Sequence, residues 1–425
     1  MSRRRAMDVV VVGGGPAGLA AAAAAAEGGK QVLLIDQGRA LGGQIWRHRR
    51  TAELPLAAEQ LLARVRAARV TVASEARVID APSAHELVVD FRGRVDLQRA
   101  EQLILATGAT ERFVPFPGWT LPGVTGVGGL QALIKSGLSL TGTRVVVAGS
   151  GPLLWPVAAT AIAAGARLGL VAEQASRRQL LAFAGAVIND PAKLLLAARY
   201  RWATIGTPFR SGSWVVRADG DERVREVVVA VGGKERRLPC DWLATACGLA
   251  PNSELGRLLG CALDGDAIRV DEMQRTSVPW VQAVGECTGV AGDAAACVEG
   301  EIAGRAAAGD ERGARDPKLV AERNAGRRFA AALARAMAPR AELRRLADPE
   351  TILCRCEDVR VGAVEPSWTA RQAKLWTRVG MGSCQGAVCG EACKLLFGWD
   401  GNTPRPPLGG PAIGGWNEAI GKLRE

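Results

Sequence analysis

Asp8-Val9-Val10-Val11-Val12-Gly13-Gly14-Gly15-Pro16-Ala17-Gly18 decides how this chain folds. The valines read as a strand, the three glycines as a turn, and the run from about Pro16 to Ala26 as a helix, with a second strand from Gln31 to Ile35. Gly13-x-Gly15-x-x-Gly18 thus stands between strand and helix, and Asp36 closes the next strand, as the dinucleotide fingerprint requires. The first glycine permits the tight turn, the second lets a pyrophosphate reach backbone N–H groups at the helix start, and the third lets helix and strand pack closely. Asp36 is placed to accept hydrogen bonds from a ribose. Gly13, Gly15, Pro16, Ala17, Gly18, Asp36 and Gln37 therefore open the cofactor-binding set.

The unit recurs. Arg144 to Ala148 reads as a strand, Gly149-Ser150-Gly151 as a turn, a helix begins near Pro152, and a strand runs from Arg167 to Ala172 with Glu173 at its end. Here the third glycine position holds Leu154, which forces the helix away from the strand without blocking Gly151. Gly149, Gly151 and Glu173 are consistent with a nicotinamide nucleotide, with another adenine nucleotide, or with a purely structural fold. Short apolar runs between Ser211 and Ala246 read as a β-meander, and Thr276 to Gly285 as a buried strand by which the chain re-enters its first domain. The expected organisation is a first, discontinuous dinucleotide-binding domain at 1–115 and 275–310, a second dinucleotide-type domain at 116–274, a helical linker at 311–349, a cysteine module at 350–400 and a tail at 401–425.

Composition narrows the function. An apolar fraction of 48% with 23% charged residues is that of an ordinary globular protein, and the net charge of +11 comes from scattered arginines, so no nucleic-acid surface is expected. Arg3 to Arg5 followed by the valines and alanines superficially resembles a signal peptide, but Asp8 and the glycines interrupt it. No stretch attains the roughly 18 to 20 continuous apolar residues that cross a bilayer, so the expectation is a cytoplasmic protein with at most peripheral contact at the inner membrane face. Only His48, His85 and Tyr200 represent their residue types, a poor supply of groups for taking a proton from a substrate.

Ten cysteines are too few for a disulfide scaffold of this length, and five fall in the last quarter. Cys354 and Cys356 form C-x-C, Cys384 and Cys389 form C-x4-C, and two such pairs across a short folded segment can close around one two-iron cluster. A structural zinc site would use the same four thiolates. Cys393, one helical turn beyond Cys389, reads as a packed free thiol. Cys240, Cys247, Cys261, Cys287 and Cys297 include no C-x-x-C, so thioredoxin-reductase disulfide chemistry is not expected.

Several segments carry a resemblance. Leu105-Ala106-Thr107-Gly108 resembles the ATG segment of two-dinucleotide-domain flavoproteins, Val281-Gln282-Ala283-Val284-Gly285-Glu286 resembles their second flavin-contacting strand, and Leu41-Gly42-Gly43-Gln44 looks like the loop beside the flavin. That likeness implies FAD, with Gly43, Gln44, Thr107, Gly108, Gly285 and Glu286 as further contacts. Glu286 stands where the pattern usually has aspartate. Cys354-Arg355-Cys356-Glu357 and Gly380-Met381-Gly382-Ser383-Cys384-Gln385-Gly386 with Cys389 resemble the bacterioferritin-associated-ferredoxin-like [2Fe-2S] domain. With Ala106 to Arg112, Pro115 to Trp119 and Gly149 to Leu154, essentially the whole chain resembles the α (FAD/[2Fe-2S]) subunit of hetero-oligomeric amino-acid dehydrogenases, the opine oxidase, hydrogen cyanide synthase, proline and hydroxyproline dehydrogenase group. The resemblance implies an α/β fold of two Rossmann-like domains, glutathione-reductase-like, plus the [2Fe-2S] domain. It also implies an FAD-containing β subunit that oxidises the amine, a small ferredoxin-like subunit or respiratory acceptor, and electron relay through this chain. The alternatives are an NAD(P)H-dependent reductase running electrons the other way and a non-catalytic scaffold subunit.

Overall fold

The strand Met7–Val12 sits at the centre of the first sheet, and its valines are buried because parallel neighbours cover both edges, helices cover the face of Val9 and Val11, and residues of Ala76–Ser83 and Glu86–Phe91 pack with Val10 and Val12 on the other. The computed structural model describes residues 6–46, 54–188, 190–399 and 404–409; His48 with Arg47, Arg49 and Arg50, Arg3 to Arg5, and the tail beyond 409 lie outside them. Two units are distinguished, Met1–Thr110 with Ala250–Ala330 and Thr403–Glu425, and Glu111–Leu249 with Ala331–Asn402.

In the first unit the strand order is Thr71–Ser74, Val32–Asp36, Met7–Val12, Arg94–Leu105, Glu86–Phe91, Ala76–Ser83, and Val281–Ala283 also pairs with Arg94–Leu105. Val12 lies beside both Ile35 and Leu105, and Ala283 beside Leu105, so four strand ends finish level at one edge. Ligands of open α/β sheets bind at that carboxyl edge. The helix Pro16–Glu27 is nearly all alanine and buried from Ala17 to Ala25, because it packs against the helix Asp293–Ala308 at backbone range. A Cβ on Gly300 would stand 2.2 Å from the Ala17 carbonyl, and one on Gly304 2.4 Å from that of Ala21. His85, in a turn of this unit, bonds Ala100 O through Nδ1 at 2.9 Å and packs on Trp280.

In the second unit five parallel strands run in the order Phe209–Ser211, Arg167–Glu173, Arg144–Ser150, Trp242–Cys247, Val124–Thr125, with an antiparallel meander of Ser213–Asp219, Glu226–Val231 and Lys234–Pro239. The helix after the second glycine turn begins at Leu154, two residues later than Pro152. Leu154 is 1% exposed in a core shared with Val147, Val157 and Ala158, and its N–H donates to Gly151 O at 3.2 Å. The residues after 350 form the hairpin Ile352–Cys354/Val359–Arg360 and the helices Ala370–Thr377 and Cys389–Phe397 around their own small core.

Candidate functional site

At the carboxyl edge of the first sheet, glycine geometry separates packing from access. Gly13 has φ +109°, and a Cβ there would meet the Ala106 carbonyl oxygen at 2.2 Å. A Cβ on Gly18 would lie 1.8 Å from Gly13 O, so the helix touches the turn backbone to backbone. Gly15 is different: only Gly43 Cα comes near, at 3.9 Å, leaving its face open where a pyrophosphate must approach. Pro16 is the first helical residue, and Ala17 lies beneath Gly285, whose Cβ would come within 2.8 Å of the Ala17 methyl. Gln37 and Gln44 are exposed beside Asp36 and Gly43.

Asp36 Oδ2 accepts from Gly14 N at 2.5 Å and Oδ1 from Gly38 N at 2.6 Å, so the carboxylate ties the glycine turn to the end of its own strand. Burial pushes its pKa up against the two N–H groups. Thr107 Oγ1 donates to Asn252 O at 2.6 Å, fixing the strand end while Gly108 stays open. Glu286 is held in a desolvated place, with its carboxyl pushed up by burial and by Asp293. The residue sequence reasoning missed here is Glu299, which accepts from Gly285 N at 2.8 Å and Thr288 Oγ1 at 3.2 Å and so shapes the turn that presents Glu286. Its only sequence signal is an acid on the buried side of an alanine-rich helix.

Burial raises the Glu299 pKa most, against Gly285 N and the charges of Arg327 and Arg323. A carboxyl whose folded pKa lies above its unfolded value costs stability at neutral pH, and that cost relaxes as pH falls towards the ordinary carboxylate range. Glu299→Gln, which keeps an acceptor oxygen, is expected to raise apo stability at pH 7 relative to the parent and to lose this advantage by about pH 5. Melting temperatures of the two proteins across that range check it.

The second turn has the same plan but another outcome. Glu173 Oε2 accepts from Gly151 N and Oε1 from Ala175 N, both at 2.8 Å, as Asp36 does in the first unit, and burial again pushes the carboxyl up. Over this edge lies the chain itself. Gln174, fully buried, donates to Ser150 Oγ at 3.0 Å and Ala338 O at 3.0 Å, and accepts from Arg340 N at 3.0 Å, while Ser150 Oγ donates to Met337 O at 3.3 Å. The segment 337–340 therefore straps the glycine turn where a dinucleotide would enter. A Cβ on Gly149 would strike Ala246 O at 1.9 Å, whereas Gly151, at φ +101°, faces open space. Gly149→Ala is expected to cost about 3 kcal/mol or more. Gly151→Ala costs about 1 to 2 kcal/mol of backbone strain alone. Denaturant titration of both variants measures the difference.

In the cysteine module the pairs of the sequence are not the pairs in space. Cys354 ends a strand and Cys356 lies in the turn beyond, with Cys354 buried and Cys356 exposed. The thiols meet as Cys354 with Cys389 and Cys356 with Cys384. Residues two apart at a strand end are not made to converge when the chain turns between them, so each C-x-C thiol takes a partner from the other segment. Gly380 N donates to Cys354 Sγ at 3.5 Å. Against the upward push of burial, the N–H groups of Val388, Gly386 and Ala387 and the Cys356 thiol bring Cys384 below the ordinary thiol range. Cys393 touches Cys389, which it pushes up. Among the described residues no three His, Cys, Asp or Glu side chains converge as a metal-holding group.

The module is fastened to its own unit by residues of the 106–119 segment. Arg112 Nε donates to Glu391 Oε2 at 2.8 Å on the helix that begins with Cys389, and Trp119 Nε1 donates to Ile352 O at 2.5 Å, two residues before Cys354. Glu111 accepts from Gly128 N at 2.7 Å at the start of the helix Val127–Lys135.

A family model described as pyridine nucleotide-disulphide oxidoreductase matches residues 7–309. The hydrogen cyanide synthase component HcnB of Pseudomonas aeruginosa is 33% identical over 354 residues, covering 77% of this chain and 76% of that protein. One of the opine oxidase subunits of Rhizobium meliloti is 32% identical over 407 residues, 86% of each chain. The solved structure of L-proline dehydrogenase from P. horikoshii matches with a TM-score of 0.66 at 18% identity, over 96% of this chain and 79% of that one, a likeness of fold alone.

Proposed function

Because the chain belongs to the pyridine nucleotide-disulphide oxidoreductase family, we infer that it is the electron-transfer subunit of a multi-subunit amino-acid or amine dehydrogenase of proline, hydroxyproline, opine or glycine type. It is an oxidoreductase with the α/β flavoprotein fold, homologous to HcnB of hydrogen cyanide synthase and to the matching subunit of opine oxidase. In this reading FAD lies on Gly13, Gly15, Pro16, Ala17 and Gly18, with Asp36, Gln37, Gly43, Gln44, Thr107, Gly108, Gly285 and Glu286 around it. Cys354, Cys356, Cys384 and Cys389 hold a [2Fe-2S] cluster. When bound, the flavin supplies a two-electron acceptor and the cluster a one-electron outlet. The partners are an FAD-containing amine-oxidising β subunit, together with a small ferredoxin-like subunit or respiratory acceptor at the cytoplasmic face of the membrane. No described helix is long and apolar enough to cross it.

The donor sets support both groups. The open Gly15 and Gly108 backbone fits a pyrophosphate-bearing nucleotide. Two thiol pairs fit a cluster that takes two thiolates per iron, whereas one zinc ion gathers all four on a single centre. We assign the discontinuous FAD domain to 1–115 and 275–310, the second dinucleotide-type domain to 116–274, the linker to 311–349, the cluster domain to 350–400 and the tail to 401–425.

The observation that carries the direction of electron flow is the strap. The family name implies a pyridine nucleotide, but Met337 to Arg340 lie on the glycine turn of the second unit, held there by Ser150 and Gln174, and this strap stands against NAD(P) entry in this conformation. Residues of this chain then position and shield, and the proton is taken from the amine on the partner. In an anaerobic titration of the native complex the amine substrate is expected to bleach the visible flavin absorption and stoichiometric NADH or NADPH to leave it unchanged. Bleaching by NADH at comparable rate would replace this reading with the NAD(P)H-dependent reductase.

A further inference from the structure

Each thiol pair of the cysteine module draws one sulfur from the loop at 354–356 and one from the stretch at 384–389, so neither pair forms unless two separate segments are held in register. The inner pair has its own support: Cys354 and Cys389 are buried in the module's small core with Leu353, Val359 and Ala373. The outer pair has less. Cys356 is exposed and Cys384 half-buried, and both lie outside that core.

Behind both segments stands the stretch 112–119 of the same unit. Ile352, two residues before Cys354, and Val388, just before Cys389, share a core with Phe113, Phe116 and Trp119. Trp119 is 4% exposed, with its ring tilted against Phe113 at 4.8 Å, and it is engaged twice by the first segment. Its Nε1 donates to Ile352 O at 2.5 Å, and the Arg355 guanidinium stands 5.8 Å over the ring. The pairing of the hairpin slips between Ile352 and Cys354, and a bulge of this kind re-aims the side chains beside it. The indole therefore fixes the chain on the near side of the slip and also steadies Arg355, the residue between the two thiols. Tryptophan suits both tasks, because it carries an N–H donor and offers a cation the best aromatic face. On the other segment, Arg112 Nε donates to Glu391 Oε2 at 2.8 Å, and Val114 shares a core with Leu395.

We propose that Trp119 and Arg112 are positioning residues for the cluster: Trp119 sets the place of Cys356 against Cys384 from behind the first segment, and Arg112 braces the second through Glu391. The proposal rests on the reading that the four thiolates hold a [2Fe-2S] cluster, and it adds that their geometry is set from outside the cysteine module. Groups that orient metal ligands in this way are worth about ten- to a hundredfold in metal affinity.

Trp119→Phe and Glu391→Gln are compared with the parent, each as the anaerobically purified native complex, and with Leu130→Ala, a truncation in a different core of the same unit. The readouts are the rate at which a chelator removes iron, the melting temperature, and the electron paramagnetic resonance spectrum of the dithionite-reduced cluster. Trp119→Phe is expected to carry iron, to release it about tenfold or more faster, and to show an altered spectrum. Glu391→Gln, which leaves the aromatic packing alone, should release iron faster by a smaller factor. Leu130→Ala should melt earlier with the parent's spectrum and release rate. Parental spectrum and release rate in Trp119→Phe overturn the proposal and leave the cluster reading standing. Equal changes in Leu130→Ala overturn it too, since lost stability alone would then account for them. Should Trp119→Phe fail to assemble, Glu391→Gln decides, and a parental release rate there overturns the proposal. A parent complex without iron would instead remove the cluster reading itself, and this proposal with it.

Discussion

Cys384→Ser is expected to leave a yellow, iron-poor protein whose complex assembles normally but whose amine-driven reduction of the acceptor falls by at least about a hundredfold. Even outer-shell changes cost metal sites up to about that factor. The reasoning begins with the thiol itself. Three backbone N–H groups and the Cys356 thiol aim at Cys384 and bring its pKa down against burial, so this sulfur is the one most readily present as a thiolate. Serine keeps the size and some of the hydrogen bonding, but its alkoxide is not a ligand available at neutral pH. Assembly should survive, because the module is fastened by Arg112–Glu391 and Trp119–Ile352 and not by Cys384. Cys393→Ser is the control. Its thiol touches Cys389 on the same helix, and the variant should retain iron with a stability loss of about 1 kcal/mol. Iron and sulfide analysis with visible spectra of anaerobically purified protein decide the matter. A colourless parent carrying stoichiometric zinc, or a Cys384→Ser complex at full turnover, would refute the cluster assignment.

How much was legible in advance depended on how far apart the partners lie along the chain. The first turn could be read because strand, glycines, helix and Asp36 fall within thirty residues at fixed spacing, and the repeat at 144–173 for the same reason. The second helix begins at Leu154, two residues later than its Pro152 suggests, because nothing in the spacing marks where a turn with leucine at the third glycine position hands over to helix. The strap could not be read: Gln174 meets residues more than 160 positions later, and nothing near Ala338 marks it as a lid. The position of Asp36 points to a ribose acceptor, and the structure adds bonds to Gly14 and Gly38, a local clamp that any acid ending such a strand can form. The role of Glu299 is not legible in the sequence, because its partners, the Gly285 N–H and the Thr288 hydroxyl, carry no charge pattern to mark them. In the cysteine module the spacing gave the four thiols but grouped them by proximity in sequence, where the hairpin at 352–360 groups them across segments.

Gly18→Val should abolish flavin binding and unfold the first unit more easily, whereas Gly15→Ala should abolish flavin binding alone. The two glycines lie one helical turn apart and face different things. At Gly18 a Cβ would stand 1.8 Å from Gly13 O and 3.2 Å from the Ala106 methyl, so valine can be admitted only by moving the helix Pro16–Glu27 off its strand. That helix also carries the alanine contact with Asp293–Ala308, so the movement reopens the packing at Gly300 and Gly304, and a loss of about 3 to 5 kcal/mol follows. At Gly15 the backbone is extended, with φ −78°, and its nearest neighbour is Gly43 Cα at 3.9 Å, so alanine meets no protein atom and the apo fold keeps its melting temperature. Its methyl group instead projects into the gap through which the pyrophosphate must reach the helix N-terminus. Flavin content per chain after purification, paired with thermal unfolding of the apo forms, separates the cases. A Gly15→Ala protein that still carries stoichiometric flavin would show that the cofactor lies elsewhere than on this turn, and the whole placement of Asp36, Gly43 and Glu286 around it would fall with it.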